Sequence, residues 1–195
     1  MTAPAIPLAP PTDLSPRVRS LSPADFATPS GREEEWRFIP SGAFAQFMEP
    51  VANAGYVATS DTVATVVPIA DLTSSWLPID RPSAVARAEV THAVVLEIPA
   101  DHETNEPIHL RLTGTAPIAY EHLEIRFGRF SKATVIIEQP SASAVSGTIV
   151  VTVGDGATAT VVNVTDGERS LETMLTWHSD IGRDAHFTGT QVSLG

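Results

Sequence analysis

From Gly55 onward, apolar residues recur at alternate positions in short runs. Val94, Leu96 and Ile98 fall on one face of an extended strand, as do Ile108, Leu110 and Leu112, and then Leu123, Ile125 and Phe127. β-Branched residues dominate, and no helical period survives over this stretch. DTVATVVPI, VTHAVVLEIPA, PIHLRLTG, YEHLEIRFG, KATVIIEQ, SGTIVVTVG, ATATVVNVT and LETMLTWHSDIG each read as a short strand. Before Gly55 the pattern differs. Pro4, Pro7, Pro10, Pro11, Pro16 and Pro23 crowd the first 23 residues. Proline fixes φ and removes a donor, so an extended arm is expected there. Ser30 and Glu33 have capping-box spacing, which predicts a helix start. Ser41 is a candidate N-cap for a second helix, with Phe44, Phe47 and Met48 on its apolar face and Pro50 as its stop. The expected organisation is a Pro-rich arm and short helical region over 1–54, then a β domain over 55–195.

Within the β region one cadence returns three times, around Gly128, Gly154 and Gly182. Phe127, Val153 and Ile181 precede the glycine. Ser131, Ala157 and Ala185 follow it by three, Ala133, Ala159 and Phe187 by five, and Thr134, Thr160 and Thr188 by six. Leu123, Ile149 and Trp177 occupy one upstream column. Hairpin strands recur about every 8–12 residues, which is too short a period for this echo. Self-similarity at about 20–50 residues marks a solenoid, and with strands inside each repeat the expected fold is a right-handed parallel β-helix. Equivalent residues then stack at the strand spacing of about 4.8 Å. The glycine column is expected to mark a corner with φ > 0. A β-sandwich or jelly roll also uses many short strands, but it has no reason to repeat one corner at a near-constant interval. The third echo ends at Gly195 in mid-coil. An uncapped coil exposes apolar columns and unpaired edges, so further polypeptide or another subunit is expected to cover it.

Composition narrows the function classes. The 195 residues, 43% of them hydrophobic, suit one domain with an arm. The formal net charge is −11, with 12 basic residues in no cluster, which disfavours a nucleic-acid partner. There is no cysteine, so this stretch forms no disulfide and offers no thiolate to zinc or an Fe–S cluster. No apolar run approaches the ~20 residues of a membrane span, and the N-terminus lacks a basic region and an unbroken apolar run. A cytoplasmic location and no membrane partner are expected.

Candidate chemistry is sparse. The run EIPADHETNEPIHL gathers His102, Glu103, Glu106 and His109, residue types that ligate metals, but without HxH or HExxH spacing. A solvated acidic loop is the expectation there. In WHSD, a strand puts His178 and Asp180 on one face and Ser179 on the other, which is poor geometry for a nucleophilic triad. The positions after the glycine column, Arg129, Asp155 and Arg183, then Phe130, Gly156 and Asp184, keep no acidic column of the kind a sugar-cleaving β-helix would use. GDGAT lacks the P-loop pattern. The residues therefore name no catalytic, cofactor-binding or metal site.

GREEEWRFIP resembles the N-terminal signature of the SufB/SufD family of Fe–S cluster assembly proteins. LEIPADHETNEPIHLRL resembles that family's first β-helix coils, and VGDGATATVVNV and HSDIGRDAHFTGTQVSLG its later ones. The absence of cysteine brings the chain nearer SufD than SufB. Gly31, Arg32, Glu35, Trp36 and Arg37 match the N-terminal motif, and Trp36 is expected to anchor the arm on the solenoid while the charges stay solvated. The resemblance implies a non-enzymatic scaffold that pairs with a SufB-like subunit, with a homodimer as a further option. A Suf ATPase subunit would dock through a C-terminal helical region that these 195 residues do not include. The complex, rather than this segment, would handle the cluster. The alternatives are a carbohydrate-active β-helix enzyme, which would need a carboxylate cluster on one sheet, and a β-solenoid binding module.

Overall fold

A computed structural model describes residues 18–39, 42–74, 76–167 and 172–194. Among these residues the strands are β1 (Gly55–Ala58), β2 (Thr65–Pro68), β3 (His92–Ile98), β4 (Ile108–Arg111), β5 (Thr113–Gly114), β6 (Ile118–Phe127), β7 (Lys132–Ser141), β8 (Ala144–Val153), β9 (Thr158–Gly167), β10 (Thr173–Ile181) and β11 (His186–Leu194). One α-helix, α1 (Arg81–Glu89), interrupts them. The chain winds into a β-solenoid of about three turns, with two strands in each coil.

Strands β4, β7, β9 and β11 form one wholly parallel sheet. The other sheet stacks β6, β8 and β10 in parallel, and β6 borders both β1 and β3 on its other side. Antiparallel partners then finish that end: β5 on β1 and β2 on β3. The repeat columns lie over one another as the echo requires. Leu123 pairs with Ile149 and Ile149 with Trp177, while Ala133, Ala159 and Phe187 stack in the facing sheet. Their inward side chains meet in one core with Leu96, Leu110, Ile125, Val135 and Ile137, which are all almost fully buried.

The glycine corner has a different physical cause from the expected one. Gly128, Gly154 and Gly182 do stack: the Gly154 N–H donates to Phe127 O and the Gly182 N–H to Val153 O, each at 2.8 Å. Their φ values are not positive. The left-handed positions fall two residues later, on Phe130, Gly156 and Asp184 (φ 56°, 69° and 55°), with Asp101 at 58° in the first coil. What the column requires is close backbone approach. A Cβ on Gly154 would lie 2.8 Å from Arg129 N, and one on Gly182 2.7 Å from Asp155 N.

The predicted helices before Gly55 are only single 3-10 turns, Glu34–Trp36 and Ala45–Phe47. Ser30 and Glu33 do pair, with the Ser30 hydroxyl donating to the carboxylate at 2.8 Å, but the chain turns after Trp36. Phe47 and Met48 are buried. Ser41 and all the early prolines except Pro23 lie outside the described residues.

Helix α1 was not expected from the pattern. Asp80 caps it by accepting the Ser83 N–H at 2.9 Å, and Pro82 sits in its first turn, where the missing donor is harmless. Val85, Ala86 and Val90 pack on Tyr120, so the helix covers the outer face of the β6/β8 sheet. Asp80→Ala is expected to lower stability by about 1 kcal/mol, measured by urea denaturation.

Candidate functional site

Alternation along β6 sorts its polar residues onto two surfaces. Tyr120, His122, Glu124 and Arg126 point outward, beneath α1, Thr73, Ser74 and Trp76. Glu121 points inward with Leu123, Ile125 and Phe127.

The outward row forms a hydrogen-bonded ladder. Glu124 Oε1 lies 3.3 Å from His122 Nε2, and Arg126 Nε donates to Glu124 Oε2 at 2.9 Å. Arg126 also reaches Glu97 Oε1 at 3.0 Å and the Thr73 carbonyl at 3.0 Å. The Trp76 ring covers His122, with centroids 6.0 Å apart. Burial pushes the Glu124 carboxyl up. Hydrogen bonds from His122, Ser74 and Arg126, with the Arg126 charge, outweigh that and hold it at about 2. Beside Arg126 and Glu97 opens a cavity of about 340 Å³, with Asp71 and Val95 also in its wall. The ladder ties Thr73, Ser74 and Trp76 to the sheet. Arg126→Ala would leave Glu124 buried and short of its cation. Because Arg126 is about one-third exposed (34%), the expected loss is discounted to about 2 kcal/mol, measured by thermal or urea unfolding.

The inward surface carries a second polar set. Glu121 is buried, and Gln139 Nε2 donates to both of its oxygens at 3.2 Å. Burial raises its pKa to about 8, against the smaller lowering effect of Gln139. One coil further on, Asn163 Nδ2 donates to Gln191 Oε1 at 2.9 Å, while buried Asn163 Oδ1 has no partner. The last coil opens onto a cavity of about 520 Å³ walled by Leu175, Trp177, Phe187 and Gln191. Among the described residues, β10 and β11 each lack a partner on one edge.

The sequence candidates separate. Glu103 pairs with Lys132 at 2.6 Å and His109 with Glu138 at 3.3 Å, so the His/Glu run is divided between two partners. Among the described residues no group of three His, Asp or Glu is placed to hold a metal ion. His178 Nε2 lies 3.2 Å from Asp180 Oδ1, and Ser179 lines the cavity on the other side of β10, as the strand reading required. Asp155 accepts the Arg183 N–H at 2.9 Å, a corner contact between coils. In the N-terminal motif, Gly31 takes φ 79°, Arg32 and Glu35 are exposed, Arg37 stands over the Phe38 ring at 5.5 Å, and Trp36 is half-buried beside β10. Sequence reasoning missed the Glu124 ladder and Glu121, although β6 parity already placed Glu121 two residues before Leu123 on the inner face.

The comparisons with known proteins bear on this solenoid. An iron-sulfur cluster assembly SufBD family protein of Mycobacterium tuberculosis is 28% identical over 182 residues, covering 87% of this chain and 45% of the relative. A protein of the same description from Mycobacterium leprae is 29% identical over 180 residues, covering 87% of this chain and 46% of the relative. The similarity supports the SufBD family. The chain spans less than half the length of these curated SufBD relatives. No family model matches, and no solved structure matches. The parallel coils agree with the β-helix that the SufB/SufD resemblance implied. Among the described residues no helix is long and apolar enough to cross a membrane.

Proposed function

We propose that this chain is part of a SufD-like scaffold in a Suf-type iron-sulfur cluster assembly system, working in the cytoplasm with a SufB-like subunit and a Suf ATPase. The observation that carries the reading is a SufBD similarity across 87% of a chain that winds as stacked parallel coils. Chemistry agrees with a supporting role. The sequence has no cysteine to hold the cluster, which in this reading is cargo bound by thiolates elsewhere in the complex. The carboxylates of β6 are paired within the fold: Glu124 with Arg126 and His122, and Glu121 with Gln139 of β7. Stacked coils resist shear, because each strand of a middle coil is hydrogen-bonded on both sides, and a rigid body of this kind can transmit an ATPase-driven movement to a partner.

The test is co-purification of the full chain with a SufB-like protein from the same genome. A complex that survives gel filtration at micromolar concentration is the expected result. Absence of association at that concentration, with both proteins folded, overturns the reading.

A further inference from the structure

The N-terminal motif folds into one wall of a groove that the scaffold reading does not use. The groove, of about 800 Å³, runs between the 18–39 segment, the start of α1 and β10. Its surface is part apolar and part polar, and Phe26, Trp36, Ile79 and Met174 make up an apolar part that serves as its floor. Ile79 is 38% exposed, and neighbouring Val18 and Ile39 are 53% and 36% exposed, so the apolar surface is open to solvent. This segment is nevertheless tied in place. Ser20 N–H donates to Pro78 O at 3.1 Å, and Arg81 Nη1 donates to Pro23 O and Phe26 O, each at 3.0 Å.

Among the lining residues carboxylates outnumber cations. Asp25 sits on one 3-10 turn and Glu34 and Glu35 on another, and all three line the groove. Glu34 and Glu35 are exposed and make no hydrogen bond or ion pair among the described residues. Asp80 is occupied as the cap of α1. Among the described residues the one lining cation, Arg81, is already shared among Glu49 and the carbonyls of Met48, Pro23 and Phe26. Acidic groups on two turns above an apolar floor complement an amphipathic helix with its apolar face down and its cations along the flanks. A strand would send alternate residues straight up into water, away from Glu34 and Glu35.

We propose that this groove docks a short basic amphipathic helix from a protein partner. Apolar side chains of the helix rest on Trp36 and Phe26, and its lysines or arginines meet Glu34 and Glu35. The inference does not depend on the scaffold assignment, because it is argued from the lining and charge of the groove alone.

The probe is a fluorescein-labelled 14-residue leucine–lysine peptide, its apolar residues at helical spacing, titrated by anisotropy against the full 195-residue chain. Peptides of the same composition in scrambled order, and with glutamate for lysine, serve as controls. Binding at micromolar Kd is expected for the patterned lysine peptide alone. The double variant Glu34→Lys/Glu35→Lys is expected to weaken it at least tenfold, and Trp36→Ala similarly. Glu106→Lys, on a distant exposed loop, is expected to leave it within twofold. Circular dichroism shows whether each variant is folded. Since Glu34 and Glu35 are exposed, their exchange tests docking without touching the core. Equal binding of the scrambled peptide, equal loss with Glu106→Lys, or no binding by the wild-type chain overturns the proposal.

Discussion

Glu121→Gln is expected to make the domain more stable at pH 8.5 while changing little at pH 5. The carboxyl is fully buried among apolar side chains, with Gln139 as its partner, and its pKa in the folded chain is raised to about 8. In the unfolded chain it returns to an ordinary value near 4.3. Between these values the folded state holds a proton that the unfolded state has released. The stabilisation is therefore complete below the unfolded pKa and is lost as pH rises through the folded pKa. At about 1.4 kcal/mol per unit, the slope accumulates on the order of 4 kcal/mol by pH 8.5. Glu124 acts in the opposite direction and in a different window. Its pKa is held at about 2, so its contribution is present above the unfolded value and is lost as pH falls toward 2. Urea denaturation of wild type and variant at pH 5, 7 and 8.5 separates Glu121 from the general repulsion of a chain with net charge −11. A glutamine in its place keeps an acceptor for Gln139 and cannot ionise. Parallel stability curves for the two proteins across that range would show that Glu121 carries no such slope.

Gly128→Ala is expected to be among the most damaging small substitutions in the solenoid. A Cβ there would collide with the backbone of Pro99 and Ala100 in the coil below, where no rotamer change relieves the contact. Relief needs the coils to separate at their corner, which would strain the Gly128 N–H bond to Ile98 O, at 2.8 Å. A loss of about 3 kcal/mol follows from overpacking against backbone. Gly42→Ala supplies the comparison: a Cβ at Gly42 meets nothing within 4 Å. Equal midpoints for the two variants in the same denaturant series would mean that the corner is looser than described.

The coils were legible because parallel stacking in register writes itself into sequence. Leu123, Ile149 and Trp177 face one interior, as do Ala133, Ala159 and Phe187, so each column must keep a compatible size or polarity. Most of the long strands followed from the same alternation, whereas β1 (Gly55–Ala58) was not among those read and β2 occupies only Thr65–Pro68 of DTVATVVPI. Helix α1 was not legible through hydrophobic period, because RPSAVARAE covers its sheet largely with Pro82, Ala84, Val85 and Ala86 rather than with a stripe of large side chains. Its capping signal, Asp80 followed by Pro82 and Ser83, was present and was outweighed by the β-rich neighbourhood. The corner was half legible. Glycine marks where backbones approach, whereas the left-handed residue two positions on is Phe130 in one coil and Asp184 in another, neither of which advertises φ > 0. The Glu124 ladder joins residues separated by up to 53 positions, from Thr73 to Arg126, and no local spacing encodes such a contact.

Because the chain has no cysteine, paired replacements report register directly. Thr134 and Thr160 are opposed on neighbouring parallel strands, β7 and β9. With Cα atoms about 5 Å apart, Thr134→Cys and Thr160→Cys together should form an intramolecular disulfide under mild oxidation, within the range such bonds tolerate. Thr134→Cys with Thr158→Cys, displaced by one residue pair along the strand, should remain largely reduced. Mass spectrometry of the oxidised monomers after proteolysis gives the answer. Predominant cross-linking of the first pair is the result the stacked coils require, and preferential cross-linking of the displaced pair, or of neither, would contradict them.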